Sequence, residues 1–203
     1  MVHAYFNQYI IHSATPMKKK ILSILFLFIC LLAQSQTKIN GITFSDTYAA
    51  GKDKLVLNGG GVREKYWMDM YVACLYLTEK NKDANSIISA NSSMAIRICI
   101  VSGLITSDRM IEAVEEGFKK STGGKQADYK DKIDKFKKAF SDPIAKSDVF
   151  DIVYTGEKLF IYKSGKLKTE IEGLDFKKAV FGIWLGKEPA DSDLKEGMLG
   201  EAD

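Results

Sequence analysis

Apolar and polar residues alternate along the chain with two different periods, and each period predicts one kind of element. Apolar side chains at positions 129, 133, 136 and 140 repeat at intervals of four, three and four, which predicts an amphipathic helix over 127–140. Further helices are predicted over 83–90, 107–118, 175–185 and 191–198. Strands are predicted over 39–44 (a short pair), 55–58, 62–77, 94–101, 148–154, 158–163 and 167–172.

The order of these elements indicates the fold class. Glycine-containing turns at 154–157 and 163–166 join the last three strands, which predicts an antiparallel meander. Strands come first, helices follow, and the meander is followed by further helices. This order predicts an α+β fold whose sheet is mainly antiparallel and covered by helices on one face. It does not fit a doubly wound parallel sheet.

The first 35 residues are predicted to lie outside the folded domain. Met17 is followed by three lysines, an apolar run over 21–32 and small residues at Ala33 and Ser35, the layout of a secretory signal peptide. Residues 1–16 would then be an upstream extension, 17–35 the signal peptide, and 36–203 a single domain. A retained membrane anchor is the alternative, although the run is shorter than the roughly 20 residues that span a bilayer. We therefore expect an exported protein, periplasmic or extracellular after cleavage near Ser35.

Removal of this segment changes the composition in ways that exclude several functions. The formal charge of +3 falls to 0, because three lysines and no acidic residue are lost, so no general attraction to nucleic acid is expected. His3 and His12 are lost as well, which excludes histidine-based nucleophilic catalysis and histidine-ligated metals, and no cofactor is expected. Cys74 and Cys99 remain, either as one disulfide or as two small apolar residues on buried strands.

Arg63 is one of only three arginines, beside 26 lysines, and it opens a long apolar strand. If that strand is regular, Arg63, Trp67 and Tyr71 share one face. A guanidinium and a phenol beside an aromatic ring could line an apolar small-ligand site with a polar end. The alternative interpretation is that Arg63 pairs with Asp69 or Glu64 at the end of the sheet.

Two neighbouring features have structural interpretations. The glycines at 59–61 are predicted to end the strand over 55–58 and to permit a bulge, a tight turn or a close approach. They are not followed by the lysine, hydroxyl residue and helix of a phosphate-binding loop. Arg97, inside the strand over 94–101, is expected to be a salt-bridge partner or an edge charge.

The stretch LVLNGGGVREKYWMDMYVACLYL at 55–77 resembles the chalcone isomerase-like proteins, in particular their bacterial exported branch. That branch has Asn-Gly-x-Gly-x-Arg after a leucine-rich strand, and then a strand that ends Tyr-Val-Ala-x-Leu-Tyr-Leu. The later stretch FGIWLG, with DLK after it, is also similar, and the resemblance extends over about 38–200. It implies an open-faced β-sandwich, a large antiparallel sheet covered by a helical layer with the ligand cleft between them.

The resemblance carries over only part of the family's catalytic set. The plant enzymes have a catalytic glycine-flanked arginine, which Arg63 matches. Their threonine on the next strand corresponds to Tyr71, and their tyrosine and asparagine on a helix correspond to Arg109 and Glu116. Their serine or threonine on a late helix corresponds to Ile183. Chalcone cyclisation needs groups that stabilise a phenolate and the charge on a carbonyl, so chalcone isomerase activity is not expected.

Another branch of the family binds fatty acids and holds the carboxylate with an arginine and a tyrosine, the types found at Arg63 and Tyr71. The resemblance therefore implies an exported, non-catalytic protein that binds a small amphipathic carboxylate such as a fatty acid, with Trp67 beside the acyl chain. One alternative is an intramolecular lyase or isomerase with Arg63 as electrophilic catalyst. The other is a structural envelope module whose cleft is closed by side chains.

Overall fold

A computed structural model describes residues 35–201 of the chain. The predicted upstream extension and signal peptide lie outside the described residues, apart from Ser35. Within 35–201, no helix has both the length and the apolar character needed to cross a membrane.

Nine strands and five α-helices form the described part of the chain. The strands are β1 Gln36–Ile39, β2 Ile42–Ser45, β3 Thr47–Ala50, β4 Asp53–Lys65, β5 Met68–Leu77, β6 Met94–Ile100, β7 Val149–Thr155, β8 Lys158–Lys163 and β9 Lys166–Glu172. The helices are α1 Ala84–Ser89, α2 Ser107–Ser121, α3 Lys130–Lys138, α4 Leu174–Leu185 and α5 Ser192–Met198, with a 3-10 turn at Gln126–Tyr129.

Seven strands, β3 to β9, form one sheet in sequence order, and every neighbouring pair is antiparallel. Strands β1 and β2 form a separate hairpin. The predicted meander over β7 to β9 is confirmed, as is the α+β fold with a large antiparallel sheet and a helical layer.

Both faces of the sheet have buried residues, because a different part of the chain covers each face. On one face, sheet residues such as Leu75 and Ile98 pack with the helices in a single core. Phe118 of α2 stacks on Phe176 of α4 at 5.4 Å between ring centroids and meets Phe136 of α3 edge-on at 5.5 Å. On the opposite face, residues of β5 to β7 pack with Phe44 and other apolar residues of the β1–β2 hairpin and β3. Burial of large apolar side chains, each worth about 1.5–3 kcal/mol, holds the layers together.

The glycines at 59–61 do not end a strand, contrary to the sequence prediction. Strand β4 runs through them with a bulge between Leu57 and Gly59. A Cβ atom on Gly197 of α5 would lie 2.6 Å from the carbonyl oxygen of Gly60, so helix and strand meet backbone to backbone. The expected bulge and close approach are therefore both present, and the approaching group is α5.

The prediction of one long strand over 62–77 is wrong as well. The chain turns at Tyr66 and Trp67, and the segment consists of the end of β4, a two-residue turn and β5. Arg63 and Tyr71 therefore belong to neighbouring strands and not to one strand.

Two polar features stabilise the sheet and its helical cover. Arg97 forms a two-pronged ion pair with Asp151 on the neighbouring strand, at 2.7 and 3.0 Å, which confirms the salt-bridge interpretation. Lys177 of α4 is fully buried, and its ammonium group donates to three backbone carbonyls at the end of α1, those of Ile87, Ile88 and Ala90.

Cys74 and Cys99 are free thiols in the structure. Cys74 lies opposite Arg97 in the register of β5 and β6, and Cys99 lies opposite Val72. The two cysteines are therefore diagonal neighbours on one sheet face, where Cα atoms are about 7–8 Å apart, beyond the usual reach of a disulfide. Burial raises the pKa of both thiols. Of the two open interpretations, the structure has two separate cysteines, with Cys74 buried and Cys99 partly buried.

Candidate ligand-binding cleft

A cavity of about 510 Å³ lies between the β4–β5 hairpin and α2. This volume is within the range of small-molecule sites. The hairpin contributes Arg63, Lys65, Tyr66, Met68, Met70 and Tyr71 to its wall. The loop before α2 and the first turns of that helix contribute Leu104, Ile105, Arg109, Met110, Glu112, Ala113 and Glu116.

Arg63 and Tyr71 lie directly opposite each other across the β4–β5 ladder. The guanidinium carbon of Arg63 is 5.7 Å from the centroid of the Tyr71 ring, a cation–π distance. The Nε atom of Arg63 is buried and has no hydrogen-bond partner among the described residues. A buried donor of this kind normally has a partner, so the guanidinium of Arg63, which lines the cavity, has an unsatisfied donor.

Tyr71 is held in place by a residue far away in sequence. Its hydroxyl accepts a hydrogen bond from the indole Nε1 of Trp184 on α4, at 3.0 Å. Burial raises the pKa of Tyr71, and the nearby charge of Arg63 opposes this effect. The phenol therefore keeps its proton at neutral pH. Because its oxygen already accepts from Trp184, that proton can be donated into the cavity.

The rest of the cavity wall is mostly apolar. Met70, Ile105 and Met110 are each 7 % exposed, and Met68 and Leu104 are about half-exposed at the cavity opening. Methionine side chains are flexible and polarisable, so they adapt to ligands of different shape. The wall thus places an adaptable apolar surface beside Arg63 and Tyr71, and its other charged residues are Lys65, Arg109, Glu112 and Glu116.

Two charged residues of α2 that line the cavity, Arg109 and Glu116, are already engaged with protein groups. Arg109 donates to the backbone carbonyl of Leu104 at 3.0 Å. Glu116 forms an ion pair with Lys120 at 2.8 Å, and this hydrogen bond lowers the pKa of Glu116. Arg109 and Glu116, which the resemblance matches to the catalytic tyrosine and asparagine of the plant enzymes, both line the cavity.

The structure separates the other residues singled out from the sequence. Trp67 lies in the hairpin turn, is 96 % exposed and does not line the cavity, so its predicted place on a shared face with Arg63 is wrong. Asp69 accepts a hydrogen bond from the side chain of Asn40 at 2.7 Å and leaves the Nε atom of Arg63 without a partner. Ile183 packs against Gly117 of α2.

Some of the residues that build this cleft carry no recognisable signal in the sequence. Trp184 is 113 positions from Tyr71, and nothing in its helical pattern marks it as a hydrogen-bond donor to β5. Ile105 and Met110 fit an ordinary core pattern. Their role at the cavity depends on how α2 lies over the hairpin.

Comparison with known proteins adds two findings. Residues 36–200 match the family model described as chalcone isomerase-like. The crystal structure of an Arabidopsis thaliana fatty-acid binding protein is similar in fold, with a TM-score of 0.66 and 18 % sequence identity over 81 % of this chain and 96 % of that chain. No curated protein matches the chain in sequence.

Proposed function

The chain belongs to the chalcone isomerase-like family, and we propose that it is a non-catalytic protein that binds a small amphipathic carboxylate such as a fatty acid. The observation that supports this most directly is that Arg63, whose buried Nε has no partner among the described residues, lines a cavity with a partly apolar wall. A carboxylate is the group that a guanidinium binds with two parallel hydrogen bonds.

In this proposal Arg63 and Tyr71 hold the ligand's head group together. The guanidinium supplies charge and two donors, and the phenol of Tyr71 donates a third hydrogen bond, because Trp184 already donates to its oxygen. The acyl chain lies along Met70, Ile105 and Met110. The fatty-acid binding protein from Arabidopsis with the same fold supports this ligand class. Trp67 does not line the cavity and has no part in binding the acyl chain.

The segment over 17–35 supports export, and we propose that the protein works in the periplasm or outside the cell. There a binding protein would keep a poorly soluble carboxylate in solution. The proposed ligand and the proposed location are independent of each other, since the cavity belongs to the described domain.

One observation favours a second candidate, an intramolecular lyase or isomerase. Tyr71 is a buried titratable group in contact with Arg63, the kind of pair that could donate a proton and stabilise developing negative charge. Against it, the α2 positions that are catalytic in the plant enzymes are Arg109 and Glu116, and both are bonded to protein groups. The open cavity of about 510 Å³ argues against a module with a closed cleft.

Native mass spectrometry of the purified chain tests the proposal. We expect co-purifying fatty acid, and at least tenfold lower occupancy in Arg63→Met, since hydrogen bonds to a charged group contribute about 1.5–3 kcal/mol. Arg109→Met is the matched control, because it removes a second arginine that lines the same cavity from the facing wall, and the ligand occupancy of this variant should change less than threefold. Equal occupancy in Arg63→Met and the wild type would refute the proposal. Turnover of unsaturated ketones or acids that depends on Arg63 would favour the lyase.

A further inference from the structure

Exposed apolar side chains are concentrated at the opening of the cavity. The large apolar residues exposed in the described part of the chain are Tyr66, Trp67, Met68, Leu104 and Leu167. Three of them, Tyr66, Met68 and Leu104, line the cavity, and Trp67 lies between Tyr66 and Met68 in the chain. We name the four residues Tyr66, Trp67, Met68 and Leu104 the apolar rim. Only Leu167, on β9, lies apart.

The backbone of the rim is unusual for its residues. Tyr66 and Trp67 are the two central residues of the β4–β5 turn, and both have positive φ angles, 54° and 60°. Two-residue turns of this type favour asparagine and glycine, because a Cβ atom is strained there. The other two-residue hairpin loops in the described residues each contain a glycine: Asn40-Gly41, Gly51-Lys52, Gly156-Glu157 and Ser164-Gly165.

Folding does not explain why two large aromatic residues are in this turn. Tyr66 is 72 % exposed and Trp67 is 96 % exposed, so neither gains appreciable burial in the folded chain. A strained backbone that presents exposed aromatic rings indicates contact with something outside the chain.

We propose that the apolar rim inserts into the interfacial region of a phospholipid bilayer and that the ligand enters the cavity there. Tryptophan and tyrosine favour this region, because one part of each ring is apolar and another part is polar. Lys65, whose ammonium lies 5.4 Å from the Tyr66 ring, can reach the head groups. The proposal rests on the proposed function, since an amphipathic carboxylate partitions into bilayers and would reach the cavity without crossing water.

The size of the rim favours a bilayer over a protein partner. Its four side chains expose together about 500–600 Å² at most, given that aromatic residues bury about 150–250 Å² each. A standard protein interface takes about 800 Å² from each partner. Binding to lipid instead increases with the apolar area that is buried and with attraction to anionic head groups, and it has no such minimum area.

Tryptophan fluorescence of the full chain tests the insertion directly. The chain has two tryptophans, and Trp184 is buried, so a change caused by vesicles reports on Trp67. With phosphatidylcholine vesicles containing phosphatidylglycerol, we expect a blue shift of the emission and quenching by brominated acyl chains. Neither effect should occur in Trp67→Gly. Unchanged Trp67 emission, or burial of Trp67 in a dimer without lipid, would overturn the proposal.

Ligand transfer separates this proposal from the proposed function. In Trp67→Gly, the transfer of a fluorescent fatty acid from vesicles should slow at least tenfold, while occupancy from ligand added in solution stays at the wild-type level. Leu167→Asn, which removes the exposed apolar residue outside the rim, should leave both quantities unchanged. In Arg63→Met, occupancy falls but Trp67 still inserts. Transfer at the wild-type rate in Trp67→Gly would refute the role of the rim.

Discussion

Replacement of Gly197 by alanine tests the close contact between α5 and β4. Intrinsic helix propensity alone predicts that this change stabilises the protein by up to about 1 kcal/mol, because alanine is the better helix former. The structure predicts the opposite. A Cβ atom at position 197 would lie 2.6 Å from the carbonyl oxygen of Gly60 and 3.3 Å from the Cα of Gly61, and neither backbone atom can rotate away.

The expected size of the effect follows from these distances. A carbon and an oxygen normally approach no closer than about 3.3–3.6 Å, even in weak C–H···O contacts, so α5 must move by several tenths of an ångström. That movement would disturb Leu194, whose Cα is 3.4 Å from a Cβ built on Gly61. Overpacking of this kind costs about 3 kcal/mol at the upper end of its usual range. The better helix propensity of alanine offsets about 1 kcal/mol of this cost. Gly197→Ala should therefore lower the free energy of unfolding by about 2 kcal/mol.

Urea unfolding followed by far-ultraviolet circular dichroism measures this difference, and a thermal scan should give a midpoint about 4–8 °C lower for a domain of this size. Gly103→Ala is the matched control. A Cβ atom there would meet nothing within 4 Å, so this variant should be neutral or slightly more stable. If Gly197→Ala is as stable as the wild type, the backbone contact between α5 and β4 is not as described.

Two further predictions concern Arg97 and Lys177, two cations bonded to buried groups. Arg97→Met should lower the free energy of unfolding by about 3 kcal/mol, because it leaves the Asp151 carboxylate, 6 % exposed, without its cation. Urea titration measures the loss, and adding Asp151→Asn should recover part of it; no recovery would contradict the pairing. Lys177→Met should cost about 3 kcal/mol, because the carbonyls at the end of α1 lose their donor. Hydrogen exchange should then speed up in α1, and unchanged protection there would contradict this role.

The β4–β5 hairpin illustrates how far the sequence could be interpreted. Arg63 and Tyr71 do lie on one side of the sheet, as predicted, but the reason is different. The prediction rests on parity along one long strand, whereas the two residues lie opposite each other on two strands joined by a turn. The sequence pattern does not predict the turn, because Tyr66 and Trp67 are large aromatic residues with no turn preference, while the glycines at 59–61 indicate a break. Tertiary contact with α5, and not a turn, accounts for those glycines.

Regular elements with local signals were predictable, and contacts between distant residues were not. The meander of β7 to β9 has a glycine in each turn, so pattern and turn chemistry agree. The hydrogen bond from Trp184 to Tyr71 depends on how α4 is placed over the sheet. In the same way, the sequence marks Lys177 only as another lysine, and its burial depends on the position of α1.

The division of the cleft between two elements has an evolutionary consequence. The head-group residues Arg63 and Tyr71 are on one hairpin, whereas Met110 and its neighbours on α2 form the facing wall. Substitutions on α2 can alter the length and shape of the acyl chain that fits the cavity without changing Arg63 or Tyr71. Descendants of one ancestral gene can therefore diverge in ligand preference while retaining a shared way of holding a carboxylate.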